Sequence, residues 1–491
     1  MKPAFRYLLC CTALFAFPLL IANNYYIDDI GRSTLGYTNW GADGRPLADI
    51  VMKLLFLSSH MTDIFPLPLL LSIFMLAFSL HQVTKKALTG WQLPGLVLIP
   101  LTFFANPYLA EVFSYRFDVL TLTAAISLSL LYFCLPSHNR WLRFVTGTMM
   151  LIAIYCLYQT AINIAVLLVM AGLYQQMARQ DTAKAILTTL LHRVVEVLLA
   201  TVIYLKLILT VTFSGKNEAN HPALAVGNLW KTWTENSEAY SQFIADTLVK
   251  NHGGMHYLLG ITIAMWLSAL ALSLLFLRRQ RDVMAAAVAV IALITPFIAL
   301  LMIPGSLLLL QNPLLSARSL IAVSGFMLLA ALVINYALTP RLQQANWLLL
   351  IPVVYGMTAY YAYGNALRQQ DKFNQSLVQE IKWDMRELPS ESFYLFFNGQ
   401  APRSPVYTNS LKNYPMLSVM VPDYFANWYW PFPYMKNNGF SALWPAPDSG
   451  VTTDTAQYLC HGKPVAQNQD YMMYRKDKVI LIDFTHASCG S

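Results

Sequence analysis

The stretch NNYYIDDIGRSTLGYTNWGADGRPLAD, residues 23–49, lies between two runs of almost pure hydrocarbon side chains. It sets Asp28 beside Asp29, adds Arg32, Asp43 and Arg45, and carries glycines at 31, 36, 41 and 44. Ionisable groups near hydrocarbon are costly, so they pair with one another or line a cavity. What this stretch means depends on which side of a membrane it occupies.

Its surroundings are those of a membrane protein. Of 491 residues, 56% are hydrophobic and only 12% charged, against roughly 25% charged in a soluble chain. A bilayer crossing takes about 20 mostly apolar residues. That ruler predicts eleven spans, near 5–22, 64–82, 91–106, 117–135, 142–157, 160–177, 193–213, 256–277, 283–303, 318–338 and 346–363. The net charge of +8 bears on topology, because no basic stripe interleaved with aromatics marks a nucleic-acid groove.

Alternate loops hold clustered cations: Lys2 and Arg6, Lys85 and Lys86, Arg140 and Arg143, Arg179 with Lys184 and Arg193, Arg278 with Arg279 and Arg281, then Arg341; the intervening loops hold mostly isolated ones, among them Arg32, Arg45 and Arg116. The positive-inside rule therefore puts the amino terminus in the cytoplasm and the carboxyl-terminal tail outside. The quoted stretch becomes an extracytoplasmic loop. The first span reads as a retained helix, since LIANNYY is a poor signal-peptidase site.

The expected fold is an α-helical polytopic membrane bundle over residues 1–363, with outer loops 23–63, 106–117 and 214–255. A small α/β domain follows at 364–491, with strands at YLFFNG and KVILIDF and a helix over 366–386. PLADIVMKLLFLSS (46–59) reads as an interfacial helix or as the start of the second span. Cys460 and Cys489 are the only cysteines of the tail, and an oxidising exterior predicts a disulfide between them. No Cys/His cluster has zinc-ligand spacing.

Three charged clusters fall on the outer face. The first is the quoted loop. The second is NPYLAEVFSYRFD (106–118), with Glu111, Arg116 and Asp118; the third is NPLLSARSL (312–320), with Arg318. Their convergence would place carboxylates able to accept a sugar hydroxyl proton beside arginines able to hold a phosphate. The opposing reading is ion pairs that secure loops to the bundle. Tyr25, Tyr26, Tyr37 and Trp40 offer faces for sugar rings, as does NWYWPFPYM (427–435) with Trp428 and Trp430, unless that segment docks on the membrane. Lys206 reads as a snorkelling cation.

YIDDIGRSTLGYTNWGADGRPLAD, followed by NPYLAEVFSYRFD, resembles the phage-type O-antigen glucosyltransferases of the Gtr serotype-conversion family. The resemblance implies a GT-C-like transferase of the bacterial inner membrane. Such an enzyme moves glucose from undecaprenyl-phosphate-glucose to O-antigen repeats of lipopolysaccharide on the periplasmic side, with a lipid-glucose flippase and synthase as functional neighbours. It implies a catalytic base at Asp29 or Asp28, Asp29 slightly preferred, with Glu111 and Asp118 in the second acidic loop. Arg32, Arg45, Arg116 and Arg318 would neutralise the single phosphate of the donor, so no metal and no cofactor are expected. The rivals are a lipid-linked oligosaccharide flippase and an O-antigen polymerase or ligase.

Overall fold

The computed structural model describes residues 2–88, 93–136, 139–215, 222–250, 256–338, 340–388, 393–487 and 489. The first two residues of the expected span 91–106 lie outside the described residues, as do 216–221 and 251–255 of the expected loop 214–255.

The chain opens with α1 (Lys2–Ala22), α2 (Asp28–Leu35) and α3 (Pro46–Phe56). Then come α4 (Leu67–Ala87), α5 (Leu93–Leu101), α6 (Leu109–Ser114), α7 (Val119–Cys134), α8 (Arg140–Leu157) and α9 (Ile162–Ala178). A helix from α10 (Ala183–Ile203) continues through a π-turn at Tyr204–Ile208 into α11 (Leu209–Thr212). The bundle closes with α12 (Leu229–Ile244), α13 (His256–Arg279), α14 (Val283–Leu301), α15 (Ala322–Ala337) and α16 (Leu350–Asp384).

Among the described residues, eight helices are long and apolar enough to cross a membrane. The chain is thus multi-pass, and eight of the eleven expected spans are met by length and composition among these residues. The helices at Gly95–Ala105 and Val119–Cys134 fall short in length, the first carrying Pro100 and ending in a 3-10 turn. The last expected span, 346–363, begins in the 3-10 helix at Pro340–Leu349 and runs on into α16.

Helices that are apolar all round belong inside a protein or a bilayer, and burial sorts them. The segment with α15 is 83% buried, that with α10 only 17%, so α15 is central and α10 faces outward. α1 is built into the core through Leu8, Phe15 and Leu19, with Phe15 stacked on Phe104 at 4.7 Å. A Cβ on Gly364 would stand 2.7 Å from the Pro18 carbonyl oxygen, so only glycine lets α16 lie this close to α1.

The expected division at 363/364 falls inside α16, which spans roughly 52 Å at 1.5 Å per residue. The bundle thus continues into the tail without a linker. Leu377, Val378 and Ile381 of α16 join the tail's own apolar core. That core backs an open four-stranded sheet in the order β1-β4-β3-β2, with β1 (Tyr394–Asn398), β2 (Lys463–Gln467), β3 (Met472–Lys476) and β4 (Val479–Asp483). β1 runs parallel to β4, pairing Tyr394 with Val479; the other pairs are antiparallel. Cys460 is bonded to Cys489.

Candidate active site

The quoted loop is pinned between bundle and tail. Ile30 of α2 is buried in the tail's core. The Tyr26 hydroxyl donates to the Met420 carbonyl at 2.7 Å, and the Tyr424 hydroxyl accepts from the Ile27 N–H at 3.0 Å. Gly36 ends α2 at φ 65, where its N–H reaches the Arg32 carbonyl. α3 follows with Ile50, Leu54 and Leu57 exposed, as an interfacial helix requires, while Asp49 accepts from the Trp40 and Gly41 N–H groups at 3.0 and 2.6 Å.

The two aspartates differ sharply. Asp29 is fully buried, and its carboxylate accepts the N–H groups of Arg116, Tyr26 and Phe117 at 2.9, 3.2 and 3.3 Å. Burial pushes its pKa up to about 8, against the lowering effect of those backbone donors. Asp28 is half-buried, and among the described residues its carboxylate has no hydrogen-bond or ion-pair partner. Its charge acts on Arg318, Tyr115, Asp43 and Tyr37. Asp29 ties the first loop to the second.

Asp118 is an internal counter-ion. It stands 3.5 Å from both Arg32 and Arg45 and accepts the Trp40 indole N–H at 2.6 Å. Arg32 also donates to the Thr38 and Tyr37 carbonyls and lies over the Trp40 ring at 3.9 Å. Trp40 is wholly buried, so it offers no face to a sugar. Arg116 is likewise consumed: it pairs with Asp63 at 2.5 Å, donates to Asn23 and the Asn24 carbonyl, and stacks on Tyr25. Glu111 is buried, which raises its pKa, and accepts the Arg318 N–H at 2.6 Å. It fixes the backbone from which Arg318 projects, while the guanidinium donates to the Tyr115 hydroxyl.

Arg45 and Arg318 line one cavity of about 270 Å³. Asp43 stands at the same wall, 3.7 Å from Arg45, and burial raises its pKa. Most of the remaining lining is apolar, including Leu205, Leu209, Phe213, Leu307 and Leu314. The π-turn of α10 brings Tyr204 here. Its hydroxyl donates to the Gly44 carbonyl at 2.9 Å and accepts from Gln159 at 3.0 Å. An anion bound to hydrocarbon would satisfy both kinds of wall.

Beside Asp28 the tail supplies aromatics. A Cβ on Gly31 would meet the Tyr37 hydroxyl at 2.9 Å and the Trp430 ring at 3.3 Å, so both side chains close over α2. Tyr429 lies 5.4 Å from Trp430 and from Trp444, and it and Trp444 are exposed. Trp428 sits apart, lining a separate tail cavity of about 400 Å³ with Trp444 and Asn427. Lys206 is exposed in the π-turn, away from the cavity lining.

The structure thus sets Arg45 and Arg318 in one cavity lining, brings Tyr37 and Trp430 together over α2, and buries Asp29, Asp118, Glu111, Arg32, Arg116 and Trp40. Sequence reasoning passed over Tyr115, although it lies in the quoted SYRFD. It also passed over Asp63, Tyr204 and Trp444, which carry no local signal; Tyr429 lies within the quoted NWYWPFPYM. Glu196 was overlooked too, although an acid within an expected span is itself a signal.

A family model described as "Glucosyl transferase GtrII" matches residues 17–329. A 55.3 kDa protein in the gtrB 5′ region of Salmonella phage P22 is 24% identical over 447 residues, covering 89% of this chain and 90% of that one. No solved structure gives a significant match.

Proposed function

The chain belongs to the glucosyl transferase GtrII family, and from that premise we propose a membrane-embedded glucosyltransferase that modifies O-antigen. Its donor is undecaprenyl-phosphate-glucose. The observation that carries this reading is the cavity that joins Arg45 and Arg318 to apolar walls, with the charge of Asp28 acting on Arg318. The arginines hold the single phosphate and the apolar side takes the start of the polyprenyl chain. Charge-assisted contacts of this kind strengthen as the phosphate gains charge on leaving.

The acceptor hydroxyl attacks the anomeric carbon of the donor glucose. Its oxygen forms the new glycosidic bond while the bond from that carbon to the phosphate oxygen breaks. Asp28 takes the hydroxyl proton and later releases it to water. Polyprenyl phosphate departs with the bonding pair, held by Arg45 and Arg318. Attack opposite the leaving group inverts the anomeric centre. The acceptor, an O-antigen repeat unit of lipopolysaccharide, stacks on Tyr37, Trp430 and Tyr429. Asp29, Glu111 and Asp118 hold these groups in place.

The site opens to the periplasm and the amino terminus lies in the cytoplasm. Supporting this, Lys85, Lys86, Arg140, Arg143 and Arg179 cluster at the far ends of α4, α8 and α9 from Asp28, as the positive-inside rule asks of cytoplasmic ends. A donor presented on the outer leaflet requires a synthase and a flippase upstream. The test is mass spectrometry of O-antigen from cells with and without this chain, supplied with the lipid-linked glucose. A gain of one hexose per modified repeat is expected; an unchanged repeat mass refutes the reading.

A further inference from the structure

A second cavity, of about 240 Å³, lies between the ends of α7, α9 and α10. The same helices carry it and the carboxylate site at opposite ends. On α7, Asp118 precedes the first turn and Tyr132 lies near the last, roughly 21 Å further along. On the α10 segment, Arg193 lines this cavity and Tyr204 the other.

Its lining holds Lys86, Arg179 and Arg193 against one acid, Asp181. Behind Arg193 is a buried charge cluster. Arg143 and Arg193 stand 3.0 and 3.3 Å from a single Glu196 carboxylate, and both lie over the Tyr132 ring. Two cations thus share one anion. Among the described residues, the Nε and one terminal nitrogen of Arg143 are buried without a hydrogen-bond partner. Surplus positive charge around partly buried groups favours an anion. Next to Arg193, the outward face of α10 exposes Leu191, Val194, Val195 and Leu198, which suits acyl chains running along the helix.

We propose that this cavity binds the phosphate headgroup of an anionic membrane phospholipid, independently of sugar transfer. The lipid seals α10 against α7 and α9. Such pockets between membrane helices suit anionic headgroups through charge and hydrogen bonding together.

The test uses the purified full chain in detergent, with thermal unfolding and native mass spectrometry after adding phosphatidylglycerol, phosphatidylcholine or inorganic phosphate. Phosphatidylglycerol should remain bound and raise the unfolding temperature; phosphatidylcholine should do neither. The Lys86→Gln/Arg179→Gln double variant should bind phosphatidylglycerol about thirtyfold more weakly, each charge being worth about fivefold near a membrane surface. Gly172→Leu plugs the cavity with every charge in place. A Cβ there meets only the Phe133 ring, at 3.8 Å, and leucine favours the helix over glycine. This variant should fold and lose the lipid. Equal binding of the two lipids, or full binding by both variants, overturns the proposal. Inorganic phosphate stabilising as strongly as phosphatidylglycerol overturns the assignment to a lipid.

Discussion

Replacing Asp28 and Asp29 one at a time by asparagine should separate chemistry from scaffold. Asp28→Asn touches a half-buried side chain without partners among the described residues, so stability should stay within about 0.5 kcal/mol of the parent. Loss of a general base should lower transfer about 100- to 10,000-fold. Asp29→Asn should do the reverse. With its carbonyl oxygen where Oδ2 now sits, it keeps the Arg116 and Tyr26 N–H bonds and turns an NH₂ group toward the Phe117 N–H. One lost buried bond costs about 1–3 kcal/mol, and activity per folded molecule should survive. Acidity adds an independent check. Between the usual carboxyl value of 3.8 and the raised value of about 8, the native state keeps a proton that the unfolded chain gives up. The stability owed to that proton is complete below pH 4 and lost as pH rises to 8. The parent should therefore lose its advantage over Asp29→Asn across that window. The assays are the hexose content of O-antigen and thermal unfolding of the detergent-solubilised protein. Full transfer by Asp28→Asn, or loss of transfer by a folded Asp29→Asn, refutes the assignment.

Arg45→Ala and Arg318→Ala should each weaken use of the lipid donor by about 10- to 150-fold, the worth of a hydrogen bond to a charged group; rates measured against donor concentration in membranes would show it. Glu196→Gln leaves Arg143 and Arg193 without their shared counter-ion, and should destabilise the bundle by about 3–5 kcal/mol, read as a lowered unfolding temperature. Reducing Cys460–Cys489, which closes a loop with a sequence separation of 29, should cost the tail roughly 3–4 kcal/mol. Its signature is protease sensitivity of the tail, with the bundle helices intact by circular dichroism.

What sequence could and could not disclose follows from the range of each interaction. Hydropathy is a local sum, so it located most spans and the strands at 394–399 and 478–484. It began the seventh span at 193, whereas the helix begins at Ala183. Lys184, Arg193 and Glu196 depress a local sum, yet Arg193 and Glu196 are paired within the helix. The same blindness divided α16 at 363, where composition changes but the backbone does not. At the site, charge marked the right loops, because acids and arginines near hydrocarbon always need a reason. Their roles depended on distant partners: Asp118 on Trp40, 78 positions away, and Glu111 on Arg318, 207 positions away. Asp28 and Asp29 are adjacent in a helix, so their side chains point about 100° apart. One must turn toward the second loop and bind its backbone. That rotation, which no composition records, leaves the other carboxylate half-buried and, among the described residues, without a hydrogen-bond or ion-pair partner.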